Sequence, residues 1–170
     1  MGKLNPIWTA LSTLFNTKIE KSEIDFFKEV ILFKDLNGWE VSKVLKLMYT
    51  RVYSDGEYIF HKGQPGTAFY IIRKGTVKII EPGSKIKEIA VLKEGELFGE
   101  LSILDDSPRS ASAVSSGDVE LKGIYKHDFD KLMISEPHIV AKLYQKFATI
   151  IGVRLKVSND EVLRLSKEDD

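Results

Sequence analysis

The chain contains no cysteine among its 170 residues, which removes disulfides and thiolate chemistry and leaves the redox compartment open. Neither sign of charge is in excess: 25 basic and 25 acidic side chains give a formal net charge of +0. That balance argues against nucleic-acid binding driven by bulk electrostatics. Long apolar runs are missing too, and the N-terminal MGKLNPIWTALSTLF is too short and too polar to cross a bilayer. The same segment lacks the basic region and small-residue cleavage site of a signal peptide. Met1-Gly2 opens like a myristoylation signal, but Pro6 stands where a serine or threonine is wanted. A cytoplasmic protein without membrane insertion is the expectation. His61, His127 and His138 form no HxH or HExxH arrangement, so a cupin-like enzyme has no ligand cluster to build on and no metal is expected. GxxxxGK[ST], GxGxxG and GxSxG are absent as well, which leaves triphosphate sites, dinucleotide sites and elbow-type nucleophiles unsupported. No enzyme is expected.

What is present suits one folded unit: 43% hydrophobic and 29% charged residues are ordinary for a globular domain with a core. Asn5-Pro6 reads as a helix start, with Ile7, Trp8, Leu11, Leu14 and Phe15 on one face. Ser22-x-x-Asp25 predicts the cap of a second helix carrying Ile24, Phe27, Val30 and Ile31. Asn37-x-x-Glu40 predicts a capping box opening a third, with Val41, Val44, Leu45 and Met48 inward. From Tyr49 the pattern changes to short Val/Ile/Tyr/Phe runs between glycine-bearing turns, including Asp55-Gly56, Gly63-x-x-Gly66, Lys74-Gly75 and Pro82-Gly83. Strands are expected near 49–53, 58–61, 68–73, 76–81, 86–92, 111–115 and 118–125, a spacing that points to an antiparallel sandwich or barrel. Ile79, Ile89 and Val91 alternate with polar neighbours; they line the interior behind a ligand or serve as ordinary core. After Tyr125 helices return. Phe129, Leu132 and Met133 suit a short one, and Ser135 with Pro137 starts a longer one carrying Ile139, Leu143, Phe147, Ile150, Ile151 and Arg154. Ser158-x-x-Glu161 predicts a fresh cap, with a bend or a short last helix, before a frayed tail.

The stretch FGELSILDDSPRSASAV, Phe98 to Val114, carries the chemistry. Gly99 lets backbone approach a ligand. Leu101 to Leu104 suit one or two helical turns, whose start near Gly99 would offer N–H groups to an anion. Arg109 supplies a planar, permanently charged fork suited to phosphate oxygens. Glu100, acceptor-only when ionised, suits hydroxyls. Read singly, these residues fit an acidic surface turn in which Arg109 pairs with Asp105 or Asp106, a contact worth about 0 to 1 kcal/mol. Read as an ordered set between two strands, they describe a small ligand with one phosphate charge and a free sugar hydroxyl.

Phe98-Gly99-Glu100-Leu101-Ser102 followed by Pro108-Arg109-Ser110-Ala111 resembles the phosphate-binding cassette of the cyclic nucleotide-binding domain family, which includes catabolite activator proteins and protein kinase A regulatory subunits. The resemblance implies an α+β fold: an antiparallel β jelly-roll barrel flanked by N-terminal helices and a C-terminal helical lid. It divides the chain into an N-terminal extension (1–22), a binding domain (23–157, barrel about 49–125, lid 126–157) and a short tail (158–170). By the same resemblance Glu100 accepts from the ribose 2′-hydroxyl, and Arg109 pairs with the cyclic phosphate. Ser110 and Ala111 help through backbone N–H groups, with the Ser110 hydroxyl beside them. The Arg73-Lys74-Gly75 turn resembles a family hairpin. The last long helix would close over the purine and bring Val153, Arg154 or Val157 near the base. Arg154 would stack on it or hydrogen-bond to it, with core or surface roles equally open.

The implied function is a regulatory module for a cyclic nucleotide, cAMP rather than cGMP by likeness to bacterial Arg-Ser members, without a cofactor. The alternative is a ligand-independent scaffold with the same barrel. About thirteen residues follow Val157, too few for a DNA-reading domain, so the expectation is a stand-alone sensor or regulatory subunit acting on a separate effector protein. A homodimer is open.

Overall fold

The computed structural model describes residues 19–84 and 86–168; the apolar stripe from Ile7 to Phe15 lies outside them. Helix α1 (Lys21–Glu29) is followed by a 3-10 turn, Ile31–Phe33, and by α2 (Gly38–Leu45). Its N-cap is Glu20 rather than Ser22, whose hydroxyl donates to the Glu20 carboxylate at 3.3 Å. At α2 the expected capping box forms. Asn37 Oδ1 accepts from the N–H groups of Trp39 and Glu40, both at 3.0 Å, and Glu40 Oε2 accepts from Asn37 N at 2.8 Å. Such an arrangement satisfies otherwise orphaned donors at the helix start.

Six strands make one antiparallel sheet: β1 (Tyr49–Tyr53), β2 (Tyr58–Phe60), β3 (Ala68–Glu81), β4 (Lys87–Leu92), β5 (Leu97–Phe98) and β6 (Ser112–Tyr125). The order is β1-β6-β3-β4, with β2 also on β6 and β5 on β3. Among the described residues the ladder is open. The expected α+β architecture is present, an antiparallel sheet flanked by helices, with the sheet not closed into a full barrel; β1, exposed along most of its length, ends the ladder as an edge.

Two of the predicted breaks are not breaks. Segments 68–73 and 76–81 form one 14-residue strand, and so do 111–115 and 118–125 apart from its first residue. Gly75 does not turn a hairpin. It sits at a shift of register between β3 and β6, where a Cβ would fall 2.4 Å from the Asp118 carbonyl oxygen. A glycine inside a strand marks this kind of close backbone approach as readily as a reversal.

The sheet sorts its side chains by the period of two. Phe69 and Ile71 of β3 and Leu97 of β5 join a core shared with the helices, among them Phe27, Phe33, Leu143 and Phe147. Tyr70, Ile72 and Phe98, their immediate neighbours, enter a second cluster on the opposite face with Val77, Leu92, Val119 and Leu121. Ile79 packs against that second cluster. Ile89 and Val91 do not: they are 54% and 41% exposed, while Ala90 and Leu92 turn inward. The register sets this: Leu92 and Ala90 pair with the inward Val77 and Ile79, Val91 with the outward Lys78, and Ile89 falls at the shift between Ile79 and Ile80.

After the sheet come α3 (Leu101–Leu104, between β5 and β6), α4 (Lys126–Ser135) and α5 (Pro137–Glu168). Helix α5 runs through Ser158 without interruption for 32 residues, so the expected fresh cap there is corrected. A capping serine needs extended backbone, and no glycine or proline follows Gly152 to break the helix. Ile139, Leu143, Phe147 and Ile150 bury the first half of α5. Charge ties it to the N-terminal helices. Lys142 Nζ donates to both Glu40 oxygens, at 2.8 and 2.9 Å, and Lys146 pairs with Asp35 at 2.8 Å.

Candidate phosphate and sugar site

Arg109 sits in the loop between α3 and β6, and its backbone is pinned to the loop after β2. Gly63 N donates to Arg109 O at 2.8 Å, and Arg109 N donates to Gln64 O at 2.9 Å. The side chain turns inward and is 4% exposed. Nη1 donates to Gly99 O at 2.7 Å and Nη2 to Ala68 O at 2.6 Å. Nε has no hydrogen-bond partner among the described residues. Neither nearby aspartate neutralises it: Asp106 pairs with Lys126 at 3.3 Å, and Asp105 accepts from the N–H and hydroxyl of Ser107. The surface ion pair is thereby set aside. Among the described residues no carboxylate lies within 4.0 Å of this guanidinium. Burial pushes its pKa down, against the opposing pull of Tyr70, Tyr49 and Glu100, yet an arginine this basic keeps its charge.

Gly99 follows Phe98 in the left-handed region, φ +77°. A Cβ there would stand 2.6 Å from Arg109 Nη1, so the glycine serves both the turn and the approach of the fork. Glu100 comes next as the N-cap of α3, itself in helical conformation and 4% exposed. The helix is a single turn, with Leu101 outward and Ser102 buried at 3%. Ser102 packs beneath the loop after β2, where a Cβ on Gly66 would fall 1.9 Å from the serine Cβ. Ser110 is exposed and Ala111 buried at the entry to β6.

Of Val153, Arg154 and Val157, the three residues placed near a base by the family resemblance, Arg154 reaches Glu100: Nη1 donates to Glu100 Oε1 at 2.6 Å, and Nη2 to Leu97 O at 2.5 Å. A fork about five turns along α5 thus bridges β5 and the start of α3. Val153 and Val157 are 57% and 64% exposed.

The site therefore holds a buried, unneutralised guanidinium, and a buried carboxylate with one oxygen engaged. Gly99 and Arg109 meet here with Glu100 beside them, whereas Leu101 and Ser110 face outward and Ile89 and Val91 lie on the outer face of β4. Sequence reasoning did not find Ala68 and Leu97, which act through backbone carbonyls and carry no side-chain signal. Phe60, whose ring centroid lies 4.1 Å from Arg109 Cζ, was also missed, because a strand phenylalanine reads as core. Gly66 was visible only as a turn. Among the described residues no group of three His, Asp or Glu side chains could hold a metal, and no helix is long and apolar enough to cross a membrane.

The comparisons with known proteins agree on one family. The model of the cyclic nucleotide-binding domain matches residues 50–136, and the chain belongs to that family. It is 35% identical over 140 residues to the cyclic AMP receptor protein of Thermus thermophilus, a match covering 81% of this chain and 63% of that protein. It is 31% identical over 109 residues to the cAMP-dependent protein kinase regulatory subunit of Hypocrea atroviridis, covering 64% of this chain and 23% of the relative. The chain thus spans less than two thirds of either relative. A cyclic nucleotide-binding domain from Methylobacillus flagellatus superposes with a TM-score of 0.75 at 26% identity, covering 82% of this chain and 84% of the other. The regulatory domain of Toxoplasma gondii PKA with cAMP gives 0.69 at 26%, covering 85% and 55%.

Proposed function

We propose that this domain binds a 3′,5′-cyclic nucleotide, cAMP in preference to cGMP, and passes occupancy to a separate protein through α5. The observation that carries the reading is Arg109: a buried cation with two carbonyls on its fork and, among the described residues, no carboxylate within 4.0 Å. Burying an unpaired charge is costly, and a monoanionic cyclic phosphate is the counter-charge such a place suits. Glu100 Oε2 accepts the ribose 2′-hydroxyl, and Ser110 and Ala111 lend N–H groups to the phosphate. The preference for cAMP is supported by the likeness to the cyclic AMP receptor protein of Thermus thermophilus.

Arg154 supplies the link to α5. It holds Glu100 by one prong and the Leu97 carbonyl of β5 by the other. A sugar hydroxyl arriving on the same carboxylate changes what Arg154 binds, and with it the balance between two placements of α5. A ligand shifts that balance only by its different affinity for the two.

Calorimetric titration of cAMP and cGMP, with Arg109→Leu as control, tests the reading. Wild-type binding that falls by about 2 to 5 kcal/mol in the variant is expected for a buried phosphate. Tight binding by a folded Arg109→Leu protein removes the phosphate assignment. Binding that leaves α5 and partner affinity unchanged would point instead to a scaffold whose output ignores the ligand.

A further inference from the structure

We infer that Phe60 is a positioning residue for the anion site: its ring supports the Arg109 guanidinium where an ion pair would ordinarily need a carboxylate. The inference rests on the reading of Arg109 as the phosphate-binding group. Phe60 is the last residue of β2, half-buried, with its ring centroid 4.1 Å from Arg109 Cζ. Tyr70 lies farther from the same carbon, at 6.0 Å. The Phe60 ring is itself held, 6.2 Å from Tyr70 and 5.8 Å from Phe98, and those two stack on each other at 5.5 Å. An aromatic face attracts a guanidinium through its quadrupole, most strongly where water is excluded.

The chemical difference from a carboxylate decides the function. An acidic partner would fix Arg109 but also neutralise it, and an arriving phosphate would have to displace that partner. A ring fixes the group and leaves its full charge available. With Gly99 O on one prong and Ala68 O on the other, the ring restrains the remaining freedom, rotation of the plane. The site is thus set before ligand arrives, which lowers the ordering cost of binding.

Two measurements test this, one of them without ligand. In nucleotide-free protein, NMR should show contacts between the Arg109 side-chain protons and the Phe60 ring, and an Arg109 Nε–H resonance displaced by the ring current. Phe60→Leu should return that resonance towards its ordinary position, and Phe60→Tyr should keep it displaced. Wild-type protein without those contacts, or a resonance indifferent to Phe60→Leu, overturns the inference. In calorimetry Phe60→Leu should weaken cAMP binding about ten- to thirtyfold, with Phe60→Tyr restoring it. Unchanged affinity in Phe60→Leu also overturns it. If the wild type binds no cyclic nucleotide while the ring-current signature is present, the functional reading fails and the placement of Arg109 by Phe60 stands.

Discussion

Arg154 on α5 spans Glu100 Oε1 and Leu97 O with its two terminal nitrogens, at 2.6 and 2.5 Å, so one side chain fastens the long helix to both edges of the β5–α3 junction. Replacing it by alanine should uncouple the two. Arg154→Ala is expected to leave cAMP affinity within about tenfold, because Arg109 remains. The ligand-dependent change in hydrogen exchange along residues 150–165 should disappear. An undiminished change in the variant would show that the signal reaches α5 by another route.

In the proposed site the second oxygen of Glu100 receives the sugar hydroxyl, since Arg154 engages the first. 2′-Deoxy-cAMP should bind more weakly than cAMP by about 1 to 3 kcal/mol, the cost of leaving a buried acceptor unmatched. In Glu100→Gln the gap between the two nucleotides should narrow. Competition titrations give both numbers, and equal affinity of wild type for the two ligands contradicts the ribose role.

Gly66 leaves no room for a methyl group. With 1.9 Å between its imagined Cβ and that of Ser102, and 2.5 Å to the hydroxyl, Gly66→Ala must push α3 away from the loop. A loss of about 1 to 3 kcal/mol in unfolding free energy is expected, as for overpacking elsewhere. Nucleotide affinity should fall too, since Glu100 caps the displaced turn. Pairing the change with Ser102→Gly should restore much of both, measured by denaturant unfolding and calorimetry.

Glu40 predicts a pH dependence. Burial works to raise its pKa, but the Lys142 hydrogen bonds, the Asn37 N–H and the charges of Lys142 and His138 outweigh it. The carboxyl sits below its ordinary 4.5. A depressed folded-state pKa gives stability that is present above the unfolded value and lost as pH falls through the folded one. Wild-type stability should therefore decline as pH drops below about 4.5. In Glu40→Gln that slope should flatten and stability at pH 7 should be lower. Parallel melting curves from pH 3 to 7 decide it; identical slopes for the two proteins would refute the assignment.

The parts of the fold that could be read from sequence are those set by neighbours along the chain. Asn37 and Glu40 stand three apart, and their capping box needs nothing from elsewhere. The buried positions of α5 follow their spacing in the same local way. What could not be read depends on partners across the sheet. Lys74-Gly75 has the composition of a turn, and only pairing with β6 makes it a bulge. Ile89 and Val91 alternate correctly, but only the register against β3, with Val91 opposite Lys78, decides which alternate set faces inward. Glu100 and Arg109 were visible as residues, whereas Gly99 O, Ala68 O and the Phe60 face that hold the arginine come from three separate strands or their ends. The contact from Arg154 to Glu100 spans 54 residues, beyond any periodicity.

The two 14-residue strands, β3 and β6, pair from Ala68↔Tyr125 to Ile80↔Ser112. Ala68, which braces Arg109, is at one end of this beam, and β6 starts three residues after Arg109. Under the signalling proposed above, this paired beam is the anvil against which a shift of the 98–110 segment works. On that reading the displacement passes to the parts resting on it, first the single turn of α3 and then the lever of α5.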